Sequence, residues 1–254
     1  MKINLTEQGQ GDPLILIHGL GSNLQSWDTS ANLLSKRFRV IRYDLRGHGL
    51  SDVPQGPWVL DEFVDDLEEV CKKTGVEQVR LAGFSLGGLI TQGFCLRHSE
   101  RVKQAVILSA IAGRTEEEQQ RVAIRVQNLE QNKLDTNIEL ALERWFSPQF
   151  RQQHPDRVAG RLAALKATDP IGYLHAYRVF SLSDLGDQLH RITTPCLVMT
   201  GEGDPGSNVR MANFMHEEIA NSQLDILPVL RHSVLVEAPE LIASKLDQFF
   251  QVPS

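Results

Sequence analysis

Short runs of aliphatic residues alternate with longer amphipathic stretches along the first part of the chain. Apolar runs of strand length fall at residues 13–18, 38–43, 78–82 and 102–108. Stretches long enough for a helix separate them, at residues 27–35, 60–74 and 86–97. Near-continuous apolar strands separated by helices are typical of a parallel sheet that is covered on both faces. We therefore predict the α/β class for this part of the chain.

The pattern changes after residue 112. Residues 113–190 contain only helix-like stretches, which X-Pro dipeptides interrupt. The strand pattern resumes at residues 195–200 and 223–227, and a last helix is predicted over residues 239–250. We predict a doubly wound, mostly parallel sheet formed by residues 1–112 and 191–254. Residues 113–190, called the cap segment below, are predicted to be a helical cap or lid inserted into that core.

Composition narrows the classes of function. The 254 residues are enough for one domain with a modest insertion. A formal net charge of −6 argues against nucleic acid as the main partner, because phosphate binding needs a basic face. The three cysteines lie far apart, which gives no metal-ligand spacing. No secretory signal and no membrane-length apolar run are visible, so we expect a cytoplasmic protein without a membrane partner. Nothing in the sequence predicts an oligomeric state.

The segment Gly83-Phe84-Ser85-Leu86-Gly87 follows a predicted strand and opens a predicted helix. A sharp strand-to-helix turn exposes its serine hydroxyl above the sheet, and glycines at the flanking positions avoid collisions with the neighbouring chain. Ser85 is therefore the predicted nucleophile, and the backbone N–H of Leu86 is a predicted donor to an oxyanion. The alternative interpretation is a glycine-rich turn with an N-capping serine.

A serine nucleophile needs a base, and the base needs an acid that fixes its tautomer. Of eight histidines, His232 follows the last predicted strand, at the sheet edge where such folds react. Asp204 follows the strand before it, so the chain order is nucleophile, acid, base. Glu202 is a rival for the acid. We favour Asp204 because it lies further out from the sheet and Pro205 stiffens the chain behind it.

A glycine-rich loop, His18-Gly19-Leu20-Gly21, follows the first strong strand. Its glycines allow a tight turn that aims a main-chain N–H, that of Leu20, into the crevice as a second oxyanion donor. Such a loop could instead cradle a phosphate. The dinucleotide pattern Gly-x-Gly-x-x-Gly is not completed here, since Leu24 occupies its last position.

Taken together, these motifs resemble the α/β-hydrolase superfamily. Residues 44–51, Asp-Leu-Arg-Gly-His-Gly-Leu-Ser, are similar to its Asp-x-Arg-Gly-x-Gly-x-Ser segment. Near the C-terminus, His232, Glu237 and Pro239 fit the family's usual pattern His-x-x-x-x-Glu-x-Pro. The chain departs from the family by carrying Arg231 where glycine is common. Serine at position 85 disfavours the dehalogenases and epoxide hydrolases, which have aspartate there. The nearest resemblance is to the 3-oxoadipate enol-lactonase type, which implies a small cyclic enol ester that bears carboxylates.

The resemblance implies a serine hydrolase that needs no metal or organic cofactor and cleaves a small ester or lactone through an acyl-enzyme. The candidates for the apolar walls of a substrate pocket are Trp27, Trp145, Phe146, Tyr173 and Tyr177. Arg178 or Arg144 could pair with a substrate carboxylate. These residues could equally form the cap's own core or lie in solvent. Other functions on the same fold are a general carboxylesterase, a C–C bond hydrolase, a perhydrolase and a non-catalytic ligand receptor.

Overall fold

The computed structural model describes residues 1–131 and 138–251. Its centre is a seven-stranded sheet with the order β1-β3-β2-β4-β5-β6-β7. The strands are β1 (Leu5–Gln8), β2 (Asp12–Ile17), β3 (Phe38–Tyr43), β4 (Val79–Phe84), β5 (Val102–Leu108), β6 (Cys196–Gly201) and β7 (Ser222–Leu227). All neighbouring pairs are parallel except β1 with β3. This confirms the predicted α/β class with a mostly parallel sheet.

Helices cover both faces of the sheet. They are α1 (Asp28–Leu34), α2 (Leu60–Lys73), α3 (Leu86–Arg97), α9 (Val209–Glu218), α10 (Val234–Glu237) and α11 (Pro239–Phe250). Strand β2 shows why the sequence lacks alternation: Ile15 and Ile17 pack into one apolar cluster, Leu14 and Leu16 into the opposite one, and all four are fully buried. Each such side chain contributes about 1.5–3 kcal/mol on leaving water.

The sequence pattern missed two elements of the core. Strand β1 has a single apolar residue, Leu5, and it pairs antiparallel at the edge of the sheet through backbone hydrogen bonds. A strand held in this way leaves little signal in the side chains. The second is a 3₁₀ turn, Leu24–Trp27, which precedes α1; α1 itself confirms the helix predicted at residues 27–35.

The cap segment lies between β5 and β6. In its described residues we find α4 (Glu116–Glu130), α5 (Ile138–Trp145), α6 (Pro148–Gln153), α7 (Pro155–Lys166) and α8 (Pro170–Leu182), and no strand. Asp184 joins its two ends, because its carboxylate accepts hydrogen bonds from the N–H groups of Gly113, Arg114 and Gly186 at 2.8, 2.8 and 2.9 Å. Within the two described ranges, no helix is both long and apolar enough to cross a membrane.

Candidate active site

Ser85 occupies the sharp turn between β4 and α3. Its backbone has φ 55° and ψ −113°, a left-handed conformation that costs a non-glycine residue about 1–3 kcal/mol. A Cβ on Gly83 would lie 2.1 Å from the carbonyl oxygen of Gly87, and a Cβ on Gly87 would lie 2.4 Å from that of Ile17. Only glycine fits both positions, so the flanking residues of the motif are explained by the close approach of β2, β4 and α3.

Three side chains that are distant in the sequence form one hydrogen-bonded row. His232 Nε2 lies 3.2 Å from Ser85 Oγ, and His232 Nδ1 lies 2.6 Å from Asp204 Oδ2. An ionised carboxylate can only accept, so Nδ1 carries the proton and the lone pair of Nε2 faces the serine hydroxyl. This arrangement can remove the hydroxyl proton as the oxygen attacks an electrophile.

The loops that carry the acid and the base are fixed by further hydrogen bonds. Asp204 is buried, and its second carboxylate oxygen accepts from the N–H groups of Gly206 and Ser207 at 2.8 and 3.0 Å. Glu237 accepts from the N–H of Arg231, beside His232, and from the Ser147 hydroxyl at 2.7 Å. Glu237 thus ties the histidine loop to the cap segment, which gives the C-terminal motif a structural role.

Loop 18–21 lies against the serine turn. A Cβ on Gly19 would come within 3.0 Å of Ser85 Cβ. The imidazole of His48 accepts from the N–H of Gly21 at 3.0 Å, and that of His18 accepts from the N–H of Leu45 at 3.0 Å. No described residue accepts a hydrogen bond from the N–H of Leu20. Leu86, as the first residue of α3, has no acceptor in a preceding helical turn. Both predicted donors are therefore available to a ligand.

A cleft of about 930 Å³, counting the part open to solvent, lies above Ser85, Asp204 and His232. The cap segment supplies most of the walls, with the aromatic residues Trp145, Tyr173, Tyr177 and Phe180 and the arginines 114, 121, 125, 144 and 161. The cleft is also lined by the carboxylates of Glu118 and Asp204, so its arginines outnumber its carboxylates. Within the described parts of the chain, no cluster of histidine, cysteine and carboxylate side chains could hold a metal ion.

A family model of the α/β-hydrolase fold matches residues 12–239. The chain belongs to the α/β-hydrolase family. This hydrolase is 33% identical over 249 residues to an (E)-2-((N-methylformamido)methylene)succinate hydrolase of Acinetobacter baylyi, covering 96% of the chain and 92% of the relative. It is 32% identical over 240 residues to 3-oxoadipate enol-lactonase 2 of the same organism, covering 94% and 89%. The enol-lactonase structure from Burkholderia xenovorans has the same fold, with a TM-score of 0.91, 23% identity and coverage of 98% and 96%.

Four of the seven candidate substrate-binding residues of the hydrolase line the cleft, namely Arg144, Trp145, Tyr173 and Tyr177. Phe146 does not, because it is fully buried in a small apolar cluster of the cap segment. Trp27 does not, and its prediction as a pocket wall needs correction: it is fully buried in the apolar cluster between the sheet and α1. Arg178 does not line the cleft either. Its guanidinium pairs with Glu130 of α4 at 2.7 Å, on a more exposed face of α8.

The sequence argument missed most of the arginines in the cleft. Arg161 is the clearest case, because its guanidinium donates to the carbonyl oxygens of Gly21 and Leu20 at 2.7 and 3.2 Å and stacks on Trp145 with 4.3 Å to the ring centroid. Burial lowers its pKa to about 10, so it remains cationic at neutral pH. In the sequence, the only sign that arginines would line the cleft is their number in the cap segment.

The two buried histidines predict a loss of stability in mild acid. Burial lowers the pKa of His18 to about 4 and that of His48 to about 3. Below about pH 6.5 the unfolded chain binds a proton at each position and the folded chain does not, so the free energy of unfolding falls with decreasing pH. We expect a loss of about 2 kcal/mol for each histidine between pH 6.5 and pH 5, measured by urea unfolding.

A matched variant checks the source of this loss. His48→Gln keeps an acceptor within reach of the Gly21 N–H but binds no proton. Its loss of unfolding free energy over the same interval should be smaller than that of the unmodified hydrolase by about 2 kcal/mol, the contribution of one histidine. Equal slopes for the variant and the unmodified hydrolase would contradict the assignment.

Proposed function

We propose that this hydrolase cleaves small esters or lactones through an acyl-enzyme formed on Ser85. The observation that supports the proposal most directly is the row of side chains from Ser85 Oγ through His232 to Asp204, with distances of 3.2 and 2.6 Å. Of the two predicted oxyanion donors, Leu20 lies in the loop that packs against the serine turn, and Leu86 is the first residue of α3. Two relatives that are named 3-oxoadipate enol-lactonase are 32% and 25% identical to the chain, which covers 89% and 84% of their lengths.

In the first half of the reaction, Ser85 Oγ attacks the carbonyl carbon while His232 Nε2 takes the hydroxyl proton. The carbonyl oxygen becomes an oxyanion, which accepts hydrogen bonds from the N–H groups of Leu20 and Leu86. Asp204 stabilises the imidazolium that forms. The intermediate then expels the alkoxide or enolate oxygen, which receives the proton from His232.

In the second half, His232 removes a proton from a water molecule that attacks the acyl-enzyme. The second tetrahedral intermediate collapses, and Ser85 Oγ leaves and recovers its proton. The products are the free acid and the alcohol or enol, joined in one molecule when the substrate is a lactone. We expect p-nitrophenyl acetate to be hydrolysed, with an initial burst of p-nitrophenol when deacylation is slow. Absence of turnover together with ligand-dependent binding of another protein would favour the receptor alternative.

We further propose that the substrate carries a carboxylate, which Arg125 and Arg144 bind. The names of two relatives contain succinate and 3-oxoadipate, and both are dicarboxylates. Three of the five arginines have partners among the described residues. Arg114 donates through Nη1 to carbonyl oxygens at and just after the end of α8, whereas its buried Nη2 has no hydrogen-bond partner there. Arg121 pairs with Glu117, and Arg161 binds loop 18–21.

Arg125 of α4 and Arg144 of α5 remain. In the described residues, neither forms an ion pair with a carboxylate, and both line the cleft. Burial, together with the charge of Arg125, lowers the pKa of Arg144. Two half-buried cations that repel each other favour an anion between them, since a carboxylate can satisfy guanidinium donors in pairs.

A pair of substrates tests this second proposal. Methyl butyrate and monomethyl glutarate have the same acyl chain, but the second ends in a carboxylate. We expect Arg144→Gln to lower kcat/KM for monomethyl glutarate by about 10- to 100-fold, the effect of one charge-assisted hydrogen bond, and to leave methyl butyrate unaffected. Turnover is followed by titration of the released acid.

Arg178→Gln serves as the matched control, because Arg178 pairs with Glu130 outside the cleft. It should change neither rate. Equal kcat/KM for the two esters in the unmodified hydrolase would refute the carboxylate proposal but leave the acyl-enzyme proposal intact.

A further inference from the structure

Loop 18–21 is held between the serine turn and the cap segment. On one side, Gly19 approaches Ser85 so closely that a Cβ would lie 3.0 Å from the serine Cβ. On the other side, Gly21 faces α7 and α8: a Cβ there would lie 2.6 Å from Leu165 and 2.8 Å from Tyr173. The loop therefore has no room to move independently of the cap segment.

The peptide group that joins Leu20 to Gly21 is fixed at both of its polar atoms. Its N–H donates to the imidazole of His48, which belongs to the core, at 3.0 Å. Its carbonyl oxygen accepts from the Arg161 guanidinium, which belongs to α7, at 3.2 Å, and the next carbonyl accepts from the same guanidinium at 2.7 Å. The N–H of Leu20 belongs to the preceding peptide group, which is joined to this one through the Cα of Leu20. A held Leu20–Gly21 peptide plane therefore limits the directions in which the Leu20 N–H can point.

Arg161 is itself held by residues near the base. Its guanidinium stacks on the indole of Trp145, with 4.3 Å to the ring centroid. The carbonyl oxygen of Trp145 accepts from the N–H of Ser233, beside His232, at 2.8 Å. A single side chain thus connects the loop that carries an oxyanion donor to the end of α5 that positions the histidine loop.

We infer that Arg161 is a positioning residue for catalysis: it sets the direction of the Leu20 N–H and so couples the seating of the cap segment to stabilisation of the oxyanion. This inference rests on the proposed function, because it takes Leu20 as an oxyanion donor. Loss of a complete oxyanion donor costs about 100- to 1000-fold in rate. A donor that remains but points in a less favourable direction should lower the rate by a smaller factor.

Arg161→Met tests the inference with p-nitrophenyl acetate, which has no carboxylate for an arginine to bind. We expect kcat to fall about 10- to 100-fold and KM to stay within about twofold, because the lost interaction acts in the transition state. Arg161→Lys should recover part of kcat. Affinity for a boronic acid, which forms a tetrahedral adduct on a serine, should fall in parallel with kcat/KM.

Arg157→Met is the matched control. Arg157 lies one turn earlier on α7 and stacks on Phe150, with 5.4 Å to the ring centroid, and it does not line the cleft. It should retain the kcat of the unmodified hydrolase. Rates are expressed per site titrated with a fluorophosphonate at completion, so that loss of folded enzyme does not count as loss of kcat.

The outcomes separate this inference from the proposed function. If the unmodified hydrolase turns over p-nitrophenyl acetate and Arg161→Met keeps its kcat, Arg161 does not position the loop. An equal loss of kcat per titrated site in Arg157→Met would also overturn the inference, since it would assign the effect to the helix in general. A raised KM with unchanged kcat would assign Arg161 to substrate binding. If the proposed function is wrong, Ser85→Ala will turn over p-nitrophenyl acetate as fast as the unmodified hydrolase, whatever the Arg161 variants do.

Discussion

Ser85→Ala is expected to lower the kcat for p-nitrophenyl acetate by about 10⁵- to 10⁶-fold, because it removes the attacking atom of the acyl-enzyme mechanism. The same variant should lose covalent labelling by a fluorophosphonate. Its stability should change little, since the serine hydroxyl has His232 as its hydrogen-bond partner among the described residues and alanine keeps the Cβ in the same turn. Initial rates, labelling and thermal unfolding measure the three effects.

Ser99→Ala is a suitable control, because Ser99 is exposed on the surface after α3. It should retain both the rate and the labelling. Undiminished labelling of Ser85→Ala would place the reactive nucleophile elsewhere, and the geometry around His232 would then need another explanation.

Asp204→Asn is expected to lower kcat by about 10⁴-fold while the fold is retained. The asparagine carbonyl oxygen can still accept from the N–H groups of Gly206 and Ser207. Its amide nitrogen then lies where the carboxylate oxygen contacts His232 Nδ1, and it donates to that atom. The proton of the imidazole moves to Nε2, which can no longer accept the proton of Ser85.

Glu202→Gln is the control for this variant, since Glu202 is the other carboxylate in the same loop. Glu202 is exposed, and its side chain accepts a hydrogen bond from the N–H of Val229 at 3.2 Å. We expect its kcat to match that of the unmodified hydrolase. A large loss in Glu202→Gln and none in Asp204→Asn would exchange the assignments of the two acids.

The residues proposed for catalysis could be found in the sequence because each stands next to a strong local signal. Ser85 lies between glycines that follow an apolar strand, and Asp204 and His232 come soon after the last two strands. Parallel strands bring their carboxyl ends to one edge of the sheet, so residues that follow different strands meet there. Neither helical periodicity nor composition was needed for this step.

The walls of the cleft could be found only in part, because the sequence did not separate the candidates that line it from those that do not. Periodicity predicts which residues share a face of a helix, but it does not predict what that face contacts. Tyr177 and Arg178 are neighbours on α8, and successive residues on a helix point about 100° apart. Tyr177 therefore lines the cleft while Arg178 pairs with Glu130 of α4.

Trp27 illustrates the same limit in the core. A large aromatic residue after a glycine-rich loop is a reasonable candidate for a pocket wall. In the structure, the 3₁₀ turn that it ends directs it into the apolar cluster beside α1, where it is fully buried. Short turns of this kind leave no periodic signal, so the direction of the side chain depends on contacts that are distant in the sequence.

The hydrogen bonds of the Asp184 carboxylate allow the cap segment to change in evolution without disturbing the core. The carboxylate binds the N–H groups at both ends of the cap segment, and a Cβ on Gly186 would lie 2.9 Å from the nitrogen of Gly113. The two ends are thus already adjacent, whatever the length of chain between them. The cap segment can therefore be lengthened, shortened or replaced as a unit, which changes ligand preference. The spacing of the strands that bear the reacting groups stays the same.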